Sequence, residues 1–493
     1  MRSIQALICA RIAKSSHRKV CTGICFCKAP ERDFAMAEFI RCFNEIVWGK
    51  GLLCLLLGTG VWLMVRLRFL PLRKLPFALS CIFSERNGKV SPYAALTAEL
   101  AATIGTGNIV GVATAMVLGG PGALLWMMIA AVFGMATKLV ESTLSVKYRI
   151  QNRDGSWRGG PMYVLRDSIG RRGSSLRSFG GMCAGLYGVF AALAAFGMGN
   201  MVQSNAIAEA LQVSFGIGRA KCGLVLALFT ILIIVGGIGS IVRLTQFLVP
   251  FMGAFYLIGV LGILVMYRGC FFESLILMIR MAFSPECAIG GVCGGFTRSA
   301  CIRYGVSRGV FSNEAGLGAG GITAASADTG DYIRQGYISM TGVFIDTIVI
   351  CCLTGIAFAC SGCVGMQDDR GVCLNGTRLT IAIFRKAYGD FGETFVSISI
   401  ALFALATIIA WAYQGEKAVE FLTGSEKSCL YYRGLYAAMT FLGAVCSLEA
   451  VWNFSDLCNG LMAFPNLFAV LYHSMHRGGI CEEIIKYSKA KPG

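Results

Sequence analysis

Residues Ala94 to Leu118, AALTAELAATIGTGNIVGVATAMVL, form an apolar stretch interrupted near its middle by Gly105-Thr106-Gly107-Asn108. Glycine costs a helix interior roughly 1 kcal/mol relative to alanine, and asparagine favours caps and turns, so a helix begun at Ala94 is predicted to open at Gly105. In lipid an unpaired backbone group costs several kcal/mol, which confines irregular backbone to places that protein encloses. A break at membrane depth therefore marks a candidate binding site. The bland alternative, a helix-packing pair of small residues, requires a spacing of about four and has no use for an asparagine. A second break, Ser312-Asn313-Glu314-Ala315-Gly316-Leu317-Gly318, interrupts a later apolar segment. Paired interruptions of this kind point to the substrate and ion sites of a secondary transporter, so the expectation is a protein that moves a small solute.

Composition sets the class. Of 493 residues, 56% are hydrophobic and 14% charged, with a mean hydropathy of +0.66 and many apolar runs long enough to span a bilayer. The expectation is a multi-pass protein of the cell inner (plasma) membrane, with the lipid bilayer as its solvent. The net charge of +17 resides in short connectors rich in Lys and Arg, which the positive-inside tendency explains, so no nucleic-acid partner is expected. Most of the 22 cysteines sit in apolar runs, as Cys54, Cys351 and Cys352 do, and behave as small hydrophobes. Cys287, Cys293, Cys301, Cys360, Cys363 and Cys373 fall in connectors predicted to lie outside, where a disulfide can form. The three histidines, His17, His473 and His476, lie outside the predicted spans, and no zinc or haem spacing emerges; no cofactor is expected. Residues 1–35 carry basic side chains around a short CTGICFC run and read as an N-terminal extension, with Met36 an alternative start.

About eleven candidate spans follow from the apolar runs: 47–69, 92–118, 121–146, 181–212, 220–241, 244–268, 303–329, 335–361, 393–422, 432–448 and 452–475. Arg66, Arg68, Arg73, Lys74, Arg86 and Lys89 follow the first span, and Lys147 through Arg177 the third, which makes both connectors cytoplasmic. Alternation then puts Arg243, Arg334, Lys427, Arg433 and the C-terminus on that same side. With the first span set aside, the broken spans are the first and sixth of ten, so each opens a five-helix unit. An odd number of spans per unit inverts the second against the first, giving an all-α, LeuT-type 5+5 inverted repeat with one extra N-terminal helix. The expected organisation is an extension at 1–35, the extra helix and its loop at 36–91, repeats at 92–268 and 303–475, an external connector at 269–302, and a basic tail at 476–493. Glu273 to Phe283 reads as a short helix within that connector.

Six blocks carry a family resemblance: GTGNIVGVATAMVLGGPGALLWMMIAAVFGMATKLVESTLSVKYR (Gly105–Arg149), GGPMYVL (Gly159–Leu165), GMGNMVQSNAIA (Gly197–Ala208), GVSRGVFSNEAGLG (Gly305–Gly318), RQGYISMTGVFIDTIVICCLTG (Arg334–Gly355) and AWAYQGEKAVEFL (Ala410–Leu422). In order, and over nearly the whole chain from about Met36, they closely resemble the alanine or glycine:cation symporter family. The resemblance implies sodium-coupled uptake of small neutral amino acids, chiefly alanine and glycine. Gly320-Gly321, where a small residue and proline are expected, and Ala410, where glycine is usual, depart from the pattern.

A zwitterionic amino acid needs positive potential for its carboxylate and acceptors for its ammonium, which half-helix termini provide. Gly105, Thr106, Gly107 and Asn108 are predicted to offer N–H groups to the carboxylate. In the second break Ser312 and Asn313 donate or accept, and Gly316 permits unwinding. Glu314, costly at such depth, is read as contacting the ammonium, a sodium ion, or a buried arginine such as Arg308. Gln203 is a substrate contact or an interhelical bond. Trp411 is a pocket wall that limits substrate size, or an interfacial tryptophan. By resemblance to LeuT-type sites, Ala101, Ile104, Ala404 and Thr407 come together around sodium, although a membrane threonine also bonds its own i−4 carbonyl. Asp346 is a second cation site, a gate partner or a structural pair. Glu99 and the Lys138–Glu141 pair form an inner gate or a static cluster. Proton coupling is the alternative within transporters, kept open by Glu99, Glu314 and Asp346; a membrane-embedded enzyme or a non-transporting receptor are the others. The missing His-containing constellation argues against the enzyme.

Overall fold

The computed structural model describes residues 42–83, 90–152, 155–169, 174–283, 286–287, 296–369, 371–476 and 478–490. The chain divides into two units, 1–42 and 43–493, and the fold below is that of the second. The predicted extension at 1–35, Arg86 and Lys89, Arg153, Arg171 and Arg172, Cys293 and Arg477 lie outside the described residues.

Nearly every described element is helical. Helix α1 (Lys50–Arg66) comes first, then α2 (Pro92–Thr103) and α3 (Val110–Gly119), separated by the first break. Ser91 caps α2 by accepting from the Ala94 N–H, and Pro92 at its first position has no N–H to strand. Helix α4 (Ala123–Lys147) is followed by α5 (Ser174–Phe196), a π-turn at Gly197–Met201, and α6 (Val202–Phe215). Then come α7 (Arg219–Ile234), α8 (Gly237–Met266) and the short α9 (Phe271–Phe283). The second broken pair is α10 (Arg298–Asn313) and α11 (Ala319–Ala324). Helix α12 (Tyr332–Val343) passes through a π-segment at Phe344–Cys351 into α13 (Cys352–Ser361). Helix α14 (Gly376–Thr423) kinks at Gly389, whose φ of 65° only glycine adopts without strain; α15 (Glu426–Val445), α16 (Leu448–Met475) and α17 (Ile480–Ala490) complete the chain.

Among the described residues six helical stretches are long and apolar enough to cross a membrane: Ala123–Lys147, Arg177–Phe215, Gly239–Met266, Tyr332–Ser361, Gly376–Thr423 and Leu448–Met475. Neither half of a broken pair spans alone, since α2 and α3 have 12 and 10 residues. Large apolar side chains on the outside, such as Leu232 and Phe247 at 75% exposed and Ile258 at 70%, would be untenable in water and suit lipid. Helices α3, α10, α11 and α12 pack on α4, while α2 packs on α8 and α14, α5 and α6 on α14, and α7 on α15.

Several boundaries differ from the sequence reading. The fourth span's helix starts at Ser174 rather than 181, and it runs on through the π-turn at Gly197–Met201 to Phe215 rather than 212. The second broken span ends its helix at Ala324 rather than 329, where Arg149 binds the carbonyls of Ala325 (2.9 Å) and Thr329 (2.6 Å) and prevents continuation. The expected helix in the 269–302 connector is α9. Cys373 is disulfide-bonded, whereas Cys360 and Cys363 carry free thiols.

The ends predicted to share a side do so. Arg66 Nη2 donates to Ser474 O (3.2 Å), Lys147 pairs with Glu483 (2.6 Å), Tyr487 Oη donates to Asp331 (2.6 Å), and Val90 N–H donates to Asp328 (3.1 Å). Trp157 Nε1 also reaches Asp328 (3.0 Å), with the Arg149 guanidinium 3.8 Å over its ring. Burial lowers the pKa of Arg149 to about 10, against the opposing pull of Asp328, which leaves it charged at neutral pH. This clasp joins the start of α2, the loop after α4 and the end of α11.

Candidate substrate and ion site between two broken helices

At the first break the helix stops because its backbone finds other partners. Ile104 turns out of helical geometry with ψ of 81°, and Gly105 is extended. Gly105 N–H donates to Asn108 Oδ1 (3.0 Å), and Thr106 N–H donates to Gln203 Oε1 (3.1 Å). Two of the N–H groups offered by the sequence reading to a carboxylate are thus held by side chains here. A Cβ at Gly105 would overlap Thr407 Oγ1 and lie 3.2 Å from Gln203 Oε1, so α2, α6 and α14 converge on this one glycine. Thr407 Oγ1 donates to Ala101 O (3.0 Å) and shares that proton with its own i−4 carbonyl, Phe403 O (3.1 Å). Ala101, Ile104, Ala404 and Thr407 are all buried, and Thr407 and Ala101 are in direct contact.

The second break is built differently. Glu314 adopts a left-handed φ of 58°, a conformation uncommon outside glycine and typical of functional strain. Gly316 (φ 91°) and Gly318 (φ 79°) continue the unwinding. Gly316 N–H donates to Glu141 Oε2 (3.1 Å), and Asn466 Nδ2 donates both to that carboxylate (2.9 Å) and to Gly316 O (2.9 Å). Tyr187 Oη donates to Leu317 O (3.0 Å). Of the partners left open for Glu314, Arg308 is removed by the structure. Arg308 pairs with Asp456 (3.0 Å) and stacks on Trp452 at 4.2 Å, because positions 308 and 314 differ by about one and two-thirds turns and face different ways. Glu314 Oε1 instead accepts from Trp411 Nε1 at 2.8 Å. Trp411 is 0% exposed and lies against Gly199 in the π-turn, which removes the interfacial reading.

Asp346 joins the two breaks. Its Oδ1 accepts from Asn108 Nδ2 (2.7 Å), and its Oδ2 accepts from Ser312 Oγ (2.8 Å) and Thr347 Oγ1 (2.7 Å). Three donors from the protein replace the water that a fully buried carboxylate has lost. Asn313 Nδ2 donates to Thr347 Oγ1 (3.1 Å), and a Cβ on Gly107 would lie 3.1 Å from Ser312 Cα, so the breaks are in contact. On the face of α4 that meets the second break, Lys138 pairs with Glu99 (3.0 Å) and lies 3.9 Å from Glu141, all at 1% exposure.

The geometry brings Gly105, Thr106, Gln203 and Thr407 together at the first break, Asn108, Ser312, Asn313 and Asp346 between the breaks, and Glu314 and Trp411 at the second. Thr347, Asn466, Tyr187 and Asn459, whose Nδ2 lies 3.0 Å from the Met198 sulfur, were missed. The asparagines carried a signal: Asn459 and Asn466 are seven positions apart, about two helical turns, on one face of an otherwise apolar span. Two buried oxygens at the breaks have no hydrogen-bond partner among the described residues, Thr106 Oγ1 on one and Glu314 Oε2 on the other. Such atoms call for an explanation, and a ligand is one.

Two interrupted helices in contact inside a lipid-facing bundle define the secondary-transporter class. Residues 33–491 match the model of the sodium:alanine symporter family, and the chain belongs to that family. It is 43% identical over 442 residues to the sodium/alanine symporter AgcS of Methanococcus maripaludis, covering 88% of this chain and 94% of the relative. It is 34% identical over 432 residues to the probable sodium/glutamine symporter GlnT of Bacillus subtilis, covering 87% and 86%. Its fold resembles that of a Na+-coupled sialic acid symporter solved in a substrate-bound outward-open state, with a TM-score of 0.52, 13% identity and 87% of each chain covered.

Proposed function

We propose that this protein is a sodium-coupled symporter that imports small neutral amino acids, alanine and glycine, across the plasma membrane by alternating access. In this reading the chain crosses the membrane about eleven times as a 5+5 inverted repeat with one extra N-terminal helix, and its basic end, with the C-terminus, is cytoplasmic. The observation that carries the proposal is that the two breaks are in contact and that each holds a buried oxygen with no hydrogen-bond partner among the described residues, Thr106 Oγ1 and Glu314 Oε2. Glu314 suits the ammonium of an amino acid, and Thr106 with the N–H groups of the first break suits its carboxylate. Gln203 then exchanges its bond to Thr106 N–H for one to the substrate. Trp411 closes the methyl side, with its indole fixed by Glu314 and Gly199.

For sodium, the carbonyls ending α2 at Ala101 and Ile104, the Ala404 carbonyl and the Thr407 hydroxyl supply the oxygens a hard cation prefers. Thr407 already spans α14 to Ala101, so a cation replacing that hydrogen bond would tie the same elements together. Asp346 serves as the fixed anion between the breaks. A cavity of about 360 Å³ at the basic end, lined by Ile241, Tyr413, Glu416, Glu420 and Arg433, begins next to Trp411 in sequence and marks a route of release.

Two experiments test these assignments. Purified protein in liposomes is expected to accumulate labelled alanine or glycine only with an inward sodium gradient. Equal uptake in choline buffer driven by a proton gradient would replace this reading with the proton-coupled one, for which buried Glu99, Glu314 and Asp346 are the candidate carriers. The second compares Thr407→Ala with Gln203→Ala. Loss of the Thr407 hydroxyl should raise the sodium concentration for half-maximal uptake, with saturating sodium restoring alanine affinity. A hydrogen bond to a charged group is worth about 1.5–3 kcal/mol, so Gln203→Ala should weaken alanine binding about tenfold or more even in saturating sodium. Unchanged sodium dependence in the first variant, or full rescue of the second by sodium, would contradict the roles.

A further inference from the structure

Beyond the ligand contacts, a chain of buried polar side chains runs behind the site from one broken helix to the other. It begins at Glu99 on α2, two positions before Ala101, whose carbonyl takes the Thr407 proton. Glu99 pairs with Lys138 on α4 at 3.0 Å, and Lys138 lies 3.9 Å from Glu141, one turn further along. Glu141 Oε2 accepts the Gly316 N–H (3.1 Å) in the middle of the second break, and Asn466 of α16 closes the ring by donating to Glu141 and to Gly316 O. Glu99, Lys138 and Glu141 are each 1% exposed and Asn466 is 2% exposed.

Two further observations say that the cluster is more than filler. Removing charges from water is costly and is repaid only by close geometry, so a shift of α2 or of the second break that lengthened these contacts would be opposed strongly. Furthermore, α11 is cut to fit the pair. A Cβ on Gly320 would overlap Lys138 Nζ and lie 2.6 Å from Glu99 Oε1. The ion pair is the physical reason a side chain is excluded at Gly320.

We propose that Glu99, Lys138, Glu141 and Asn466 are positioning residues that couple the two sites: the order sodium imposes on the end of α2 is passed through Lys138 and Glu141 to the Gly316 backbone, and so to the substrate's half of the pocket. This rests on the sodium-coupled reading above. Coupling between sites is a ratio of affinities, carried by contiguous side chains with two arrangements, and this chain is contiguous at hydrogen-bonding or ion-pairing distance throughout.

The test is equilibrium binding of labelled alanine to the full-length protein in lipid nanodiscs, in saturating sodium and in choline. Wild-type protein is expected to bind alanine roughly 5–150-fold more tightly in sodium, the usual range of coupling between two sites. Two variants disturb the relay, one by removing the Glu99–Lys138 pair and one by displacing it. Glu99→Gln/Lys138→Met removes both members of the pair, and Gly320→Ala displaces the ammonium while retaining every charge. Both are expected to bind alanine with a sodium-to-choline ratio within about twofold of one, and to melt below wild type because buried charge is disturbed, so the ratio is the deciding readout. A merely structural cluster would move the midpoint and leave the ratio. A wild-type ratio in a folded Gly320→Ala protein overturns the proposal, whether or not the double variant folds. If wild-type protein itself shows a ratio of one, the sodium-coupled reading fails first, and the two failures are told apart by which protein loses the ratio.

Discussion

Asp346→Ala is expected to abolish uptake, with a fall of at least about a hundredfold, and to lower thermal stability. The carboxylate is the shared acceptor of Asn108, Ser312 and Thr347, one residue from each break and one from its own π-segment. Its removal takes the charged acceptor from three buried donors, leaving Asn108 only Asp346 O (3.1 Å) and Cys351 Sγ (3.3 Å) and Ser312 only Cys351 Sγ (3.3 Å); a hydrogen bond to a charged group is worth roughly 1.5–3 kcal/mol, and a hundredfold loss needs only about 2.8 kcal/mol. Asp346→Asn keeps one acceptor oxygen but turns an amide toward a donor, so it should fall between alanine and wild type. Uptake and melting temperature measured together check the claim; an Asp346→Ala protein that melts normally and transports at a wild-type rate would show that the breaks are held together by something else.

Gly105→Ala is the second large effect. Gly105 is in extended backbone that any residue can adopt, so the cost is not conformational. It is steric: the added methyl meets the Thr407 hydroxyl and presses on Gln203 Oε1, and overpacking of this sort costs about 1–3 kcal/mol. Because both displaced groups are assigned to ligands, uptake should fall more than stability does. The double variant Gly105→Ala/Thr407→Ala relieves the worse overlap and should recover expression and melting temperature, yet still need more sodium than wild type. Full recovery of sodium affinity in the double variant would remove Thr407 from the cation site.

Much of this was legible in the chain because lipid leaves little freedom. Gly105–Asn108 and Ser312–Gly318 stood out as backbone that cannot remain helical, and depth alone made them candidates. Glu273–Phe283 was visible as an amphipathic stretch and is α9. Side-chain partnerships were less accessible. Glu314 invited pairing with the nearest basic residue in sequence, but Arg308 turns to Asp456, and the partner is Trp411, 97 positions away. The Glu141–Asn466 bond joins residues 325 positions apart, and Thr347 hides its role in the turn of a π-segment. Periodicity reports which face of a helix is apolar, not which polar residue of another helix will meet it. The reason for glycine at 320 was not legible, because Lys138 and Glu99, which a Cβ there would meet, lie on other helices.

Counterflow tests the central claim most directly, because it needs binding, occlusion and re-orientation but no net driving force. Liposomes holding the purified protein and a high internal concentration of unlabelled alanine are diluted into trace labelled alanine, with sodium on both sides or with choline in its place. The account predicts transient accumulation of label with sodium and none with choline. Equal accumulation in choline would contradict sodium coupling, and no accumulation in either buffer, from protein that still binds alanine, would contradict transport itself.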